Sequence, residues 1–226
     1  MARTRTGAEL IDDSYLRADL VGATDRHPRT TVLRYVNQGC TELYDLLVEA
    51  RGRAYFRATP STITTATNTT RYALPASFYR LISLRVNGPS GFCMEPFSPQ
   101  DEPMLREPGV TADKPTHYEL QPGYVELLPA HRASLSVICD YVPVFTDLLD
   151  SSVTFDGING WEQYPVEFAA REMFLHDGEK SDAATCTAKM DLLAKRIASL
   201  APKRDAFRAE RVKNVRTGGP GPWGRW

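Results

Sequence analysis

Residues 31–47 read TVLRYVNQGCTELYDLL, and their spacing decides how the chain folds. The apolar residues Leu33, Val36, Cys40, Leu43 and Leu47 recur at intervals of 3, 4, 3 and 4, which lines one stripe of an α-helix. The preceding HPRTT offers Thr30 or Thr31 as the N-cap. Such a helix has to bury its stripe, so partners must exist elsewhere in the chain. A shorter amphipathic helix is expected over residues 8–20. Near the other end Pro165 suits a first helical turn, and Val166, Ala169, Ala170, Met173 and Phe174 follow on one face until Asp177-Gly178 stops the helix. A second stripe runs through Ala183, Cys186, Met190, Leu193, Ile197 and Leu200 and ends at Pro202. Two helices come from each end of the chain, so the termini are expected to meet in one antiparallel helical bundle.

Between these ends the period changes. STITTATNTTRYAL is rich in β-branched threonine, with Asn68 placed to turn the chain. FYRLISLRVNG alternates as a strand and NGPSG turns it. THYEL and YVELL flank QPG as a hairpin. In SLSVICDYVPVF, Leu135, Val137, Cys139 and Tyr141 alternate with Ser134, Ser136 and Asp140. Five or six short strands imply a small antiparallel sheet or barrel. The proline-rich residues 95–109 read as a long surface loop. The fold class is therefore α+β, with a β module inserted into a helical bundle. The expected division is 1–54 helical, 55–148 β, 149–202 helical, and an extended C-terminal arm over 203–226.

Composition narrows the function. At 42% hydrophobic and 24% charged, the 226 residues have the make-up of an ordinary soluble protein. The net charge is only −1, but the last 24 residues hold seven basic side chains against two acids, a net of +5 that leaves −6 for the rest. A basic tail on an acidic body points to a partner. No apolar run reaches the ~18 residues of a membrane span. The opening MARTRTGAELIDD has no apolar centre, which argues against a secretory signal. Cys40, Cys93, Cys139 and Cys186 are far apart and read as buried free thiols rather than disulfide or metal partners.

Catalytic parts are few. His27, His117, His131 and His176 form no HxxxH or HExxH pair, and no CxxC occurs, so neither a metal nor a cofactor is expected. A phosphate-binding loop and a GxSxG elbow are both missing. Asp12, Asp13, Glu167 and Glu172 read as solvated-face or helix-terminus groups, and His176 as a helix-end group favoured by the dipole. The protein is not expected to be an enzyme.

RYALPASFYRLISLRVNG resembles the segment that opens the β module of bacteriophage head-to-tail connector (adaptor) proteins, whose pattern is YxLPxDFxR. Tyr72, Leu74, Pro75, Phe78 and Arg80 match, and Ser77 replaces the aspartate. KPTHYELQPGYVELLPA is similar to that family's next hairpin, CDYVP to its following strand end, and VNQGCTELY to its helical hN-x-a-x-x-ELY. The resemblance covers the chain to about residue 200. It implies a homo-oligomeric ring, usually twelvefold, beneath the portal protein. The ring closes the packaged head and carries the tail or nozzle protein, while double-stranded DNA passes through without specific binding. It also implies assembly in the host cytoplasm, a place in the virion, and a C-terminal arm that threads into the portal.

On that reading Lys203, Arg204, Arg208, Arg211, Arg216 and Arg225 meet acidic groups of the portal. Phe207 and Val212 add apolar points, and Trp223 and Trp226 anchor the tip, since Trp and Arg are enriched among interface hot spots. Two other readings stand beside it. One is a nucleic-acid binder that uses the basic, Trp-bearing tail. The other is a hydrolase hidden in the β module around His117 and His131.

Overall fold

Thr6 begins the first helix by a reciprocal exchange: its Oγ1 accepts from Glu9 N–H at 3.2 Å, and its own N–H donates to Glu9 Oε2 at 2.9 Å. This capping box satisfies two donors that a helix start would otherwise leave open. The computed structural model describes residues 5–22, 24–51, 56–88, 91–98, 100, 102–106, 111–149, 152–155 and 160–200. Within them, β1 (Arg5–Thr6) leads into α1 (Gly7–Arg17), then α2 (Arg29–Arg51). The β-rich middle contains β2 (Ser61–Thr64), β3 (Arg71–Ala73), β4 (Phe78–Val86), β5 (Glu95–Pro96), the one-turn α3 (Glu102–Leu105), β6 (Thr111–Ala112), β7 (His117–Gln121), β8 (Tyr124–Leu128), β9 (Ala130–His131) and β10 (Ser136–Pro143). Then β11 (Thr154–Phe155) precedes α4 (Gln163–Asp177) and α5 (Lys180–Leu200). The protein is mixed α+β, with four long helices and several small, mostly antiparallel sheets.

The helices share one core. Val36, Cys40, Leu43 and Leu47 of α2 are buried as their spacing predicts, but Val32 takes the innermost first-turn position and Leu33 is only partly buried. The helix also starts earlier than Thr30 or Thr31. Pro28 sets the first turn, its carbonyl accepting from Thr31 N–H at 2.8 Å and Val32 N–H at 3.1 Å. A proline there removes only an N–H that would have no helical partner. Gly178 ends α4 in the left-handed region at φ 81°, as Asp-Gly requires. α4 is not a one-faced helix: Tyr164 through Ala170 are all buried, followed by Met173 and Phe174. It is the central helix, wrapped by α1, α2 and α5. Ala183, Cys186, Met190, Leu193 and Ile197 of α5 are buried, whereas Leu200 is 41% exposed.

A second core lies in the strand-rich region: Ile63, Leu81, Leu84, Val86, Val125, Leu127, Val137 and Cys139 are among its members. Among the described residues the strands are distributed over several small sheets. One sheet has the order β2-β10-β4 and another β3-β8-β7-β5, with β1-β11 and β6-β9 as separate pairs. The hairpin β7–β8 turns through Pro122-Gly123, with Gly123 at φ 81°. Two pairings, β5 with β7 and β6 with β9, are parallel. Residues 95–109 are more than a surface loop, because they supply edge strand β5 and helix α3, and Leu105 is buried. Cys93 also departs from expectation: it is exposed, while Cys40, Cys139 and Cys186 are buried.

The VNQGCTELY motif joins the two cores. Asn37 donates to Leu148 O at 3.1 Å and accepts from Leu148 N–H at 2.9 Å. Glu42 accepts from the Tyr164 hydroxyl at 3.1 Å, and the Tyr44 hydroxyl donates to Pro143 O at 2.9 Å. Tyr44 also sits in an aromatic cluster with Phe56, Tyr79 and Phe145, and Tyr79 donates to Asp45 at 2.8 Å. Asn37, Glu42 and Tyr44 thus tie α2 to three different segments.

Candidate docking surface

The ten residues that the sequence offers for docking, Lys203, Arg204, Phe207, Arg208, Arg211, Val212, Arg216, Trp223, Arg225 and Trp226, lie outside the described residues, which end at Leu200. The structure does describe the end of α5 and its neighbours. One turn before its end, α5 places the Arg196 guanidinium 5.9 Å from the centre of the Trp161 ring. Beside Trp161 opens a cleft of about 620 Å³, between α1 and the start of α4, lined by Arg5, Asp13, Leu16, Arg17, Glu162 and Glu167 among others.

Most of the charge in this cleft is internally neutralised. Arg5 pairs with Asp13. Arg17 Nε donates to both oxygens of Glu167 at 2.8 and 2.9 Å, and Lys189 Nζ stands 3.4 Å from the same carboxylate. Glu167 is therefore buried and bridged across α1, α4 and α5 rather than lying on a solvated face. The hydrogen bond to Glu167 holds the Arg17 guanidinium above its ordinary pKa, and burial pushes the neighbouring Cys186 thiol up to about 11. Glu162 differs. It is 6% exposed, and among the described residues its Oε1 has no hydrogen-bond partner. An unsatisfied buried polar atom costs on the order of 1–3 kcal/mol. Leu16, 69% exposed, sits at the same cleft.

The remaining polar clusters have structural explanations. The side chains of His27 and Asp177 are both enclosed; Nε2 lies 3.1 Å from each carboxylate oxygen, and His176 Nδ1 is 3.3 Å from Oδ1. The fold thus gathers three metal-type donors that no sequence spacing foretold. Arg26 Nε already holds Asp177 at 2.8 Å, so a guanidinium supplies the positive charge and the group clasps the α1–α2 connection to the end of α4. Burial raises the Asp177 pKa, but the hydrogen bonds from His27 and His176 outweigh it and leave the group below its ordinary value. His176 accordingly pairs with a carboxylate as well as ending a helix. In the β region Asp140 is buried instead of facing outward, because Arg57 pairs with it, Ser83 donates to it at 3.0 Å and Arg85 stands 3.5 Å away. His131 is fully buried with Nδ1 unpartnered, and burial lowers its pKa. His117 contacts Thr116 Oγ1 at 2.8 Å and Glu95 at 4.0 Å.

Sequence reasoning missed Glu162, the Arg17–Glu167–Lys189 bridge and the joint made by the ELY motif. The bridge left no readable signal, since its members are 150 and 22 residues apart. The capping box at Thr6 and Glu9 was readable as T-x-x-E before an apolar run.

The described residues thus hold two cores, a central buried helix, and a cleft beside the start of α4. The profile of the SU10 adaptor protein family matches residues 5–216, and the chain belongs to this bacteriophage head-to-tail adaptor family. Its members are structural proteins of the phage particle. No curated protein matches the sequence. Among the described residues no helix is long and apolar enough to cross a membrane.

Proposed function

We propose that this protein forms a homo-oligomeric ring, a dodecamer, beneath the portal of a packaged phage head, closing it and carrying the tail or nozzle protein. The observation that carries the reading is the family match over residues 5–216, which extends into the basic segment past Leu200. Residues 1–54 and 149–202 form the helical body, residues 55–148 the β module, and residues 203–226 an arm that enters the portal. Trp223 and Trp226 anchor its tip, and Lys203, Arg204, Arg208, Arg211, Arg216 and Arg225 pair with portal acids, flanked by Phe207 and Val212. A net of −6 on residues 1–202 suits a channel through which DNA slides, because each phosphate contact would slow passage.

Truncation after Pro202 tests the arm. Among the described residues the last core residue is Ile197, so the shortened chain is expected to fold and keep its Tm. It is also expected to lose portal binding by tenfold or more, as removal of one hot-spot residue costs ~2 kcal/mol. Undiminished portal affinity of the folded truncation sinks the assignment. Salt-dependent binding of single-stranded DNA, lost on the same truncation, would favour the nucleic-acid reading instead.

A further inference from the structure

His27, His176 and Asp177 each bring a donor atom to within 4.8 Å of the other two, and the spacing that makes a hydrogen-bonded clasp also fits a metal ion. His27 Nε2 stands 3.1 Å from Asp177 Oδ1, and His176 Nδ1 stands 3.3 Å from the same oxygen. Donors bonded at ~2.0–2.1 Å to one tetrahedral ion lie ~3.3 Å apart, so two edges of such a site are already near their full length. Consecutive residues on a helix ordinarily point apart, yet His176 and Asp177 meet where α4 ends at Gly178. Two of the three donors are held in place. The His27 and Asp177 side chains are each 2% exposed, and the Tyr15 hydroxyl donates to the His27 carbonyl. The His176 side chain is 60% exposed, which gives an ion a way in from solvent and gives the ring freedom to close the third edge. The C-terminal end of α4 adds a partial negative charge of its own, which favours a cation at this place.

We propose that His27, His176 and Asp177 bind a divalent transition metal of the Zn²⁺ or Co²⁺ kind, with water in the fourth position. The donor set selects the class. Imidazoles suit Zn²⁺, Co²⁺ and Ni²⁺, whereas Ca²⁺ and Mg²⁺ take sets of oxygens. Arg26, whose Nε lies 2.8 Å from Asp177 Oδ1, is the competitor for the carboxylate. Its side chain is 58% exposed, so it can swing into water as the ion takes its place. The ion joins residues 150 apart in the chain, fastening the α1–α2 connection to the end of α4. This goes beyond the adaptor reading and does not depend on it.

The probe is Co²⁺, added to the untagged full-length protein carrying Cys93→Ser, which removes the exposed thiol as a rival ligand. A single equivalent is expected to bind, with the visible absorption of a four-coordinate ion, and to be displaced by Zn²⁺. His176→Ala changes an exposed side chain, so the metal-free Tm is expected to stay the same. Its binding should weaken by more than the ~10–100-fold that loss of an outer-shell partner costs. Arg26→Gln removes the competing charge and is expected to tighten binding by roughly tenfold. Zn²⁺ at 100 times its Kd should shift the unfolding equilibrium about a hundredfold towards the folded state, a rise in Tm that His176→Ala abolishes. No Co²⁺ absorption at millimolar metal overturns the site and leaves the three groups a hydrogen-bonded clasp. Equal absorption in His176→Ala overturns it as well, by placing the ion elsewhere.

Discussion

Gly39 is the residue whose replacement tests the packing account most sharply. It lies at the middle of α2 facing the start of α4, and a Cβ built there would stand 2.8 Å from Phe168 Cβ and 2.8 Å from Pro165 Cα. The second contact is with backbone, so rotating a side chain does not relieve it. By intrinsic propensity alone, Gly39→Ala in a helix interior would stabilise by about 1 kcal/mol. Carbon atoms settle at ~3.5–4.0 Å, however, so α2 must move from α4 by about 0.8 Å. A gap of that size forfeits a quarter to a half of each contact along the crossing, and overpacking typically costs ~1–3 kcal/mol. The crossing therefore outweighs the propensity, and the net expectation is a loss of about 1–2 kcal/mol. Urea denaturation followed by circular dichroism measures it as a lower midpoint with unchanged m-value. In a domain of this size Tm should fall by roughly 2–8 °C. Phe168→Ala combined with Gly39→Ala should not restore the loss, because Pro165 Cα remains in place. A Gly39→Ala protein as stable as the wild type, or more stable, refutes the close helix crossing.

Two further predictions concern titration and thiol chemistry. Burial lowers the His131 pKa below 6.5, so the unfolded chain binds that proton more readily. Stability should then decline as pH falls below about 6.5, with a slope of at most ~1.4 kcal/mol per pH unit, and His131→Gln should remove this slope. Asp177 is likewise held below its ordinary value, but for a carboxylate that shift stabilises the folded state: its contribution is present above ~4 and lost only as pH falls through the folded value, so denaturation between pH 7 and 5 should be unaffected by Asp177→Asn beyond a constant offset. Among the cysteines, Cys139 and Cys186 have pKa values pushed up to about 11 by burial, Cys40 is raised further, and Cys93 is exposed. One thiol per native chain should react with a maleimide at neutral pH, and Cys93→Ser should abolish the labelling; two or more labels on the folded protein would contradict the buried placement.

The helical half of the fold was legible in the sequence because a one-sided stripe has a single solution. Val36, Cys40, Leu43 and Leu47, like Ala183, Cys186, Met190, Leu193 and Ile197, are buried where their spacing put them. Turn chemistry was legible for a similar local reason: Gly178, Gly123 and Asn68 take the positive φ their positions require. What local pattern could not decide was which helix stands in the centre. α4 carries Glu167 and Arg171 among its apolar residues and reads as amphipathic, yet three helices cover it because Glu167 finds Arg17 and Lys189 across the core. Strand alternation likewise cannot say which strands pair, so β2 and β3, adjacent in sequence, fall in different sheets. Nor can it show that Asp140 turns inward to two arginines. The candidate site divides the same way. The basic, tryptophan-tipped end was evident from composition, because a segment so poor in core-forming residues has little to bury. Glu162 and its cleft exist only in three dimensions, since whether a carboxyl group has a partner depends on groups brought to it from α1 and α5, and distance along the chain carries no record of that.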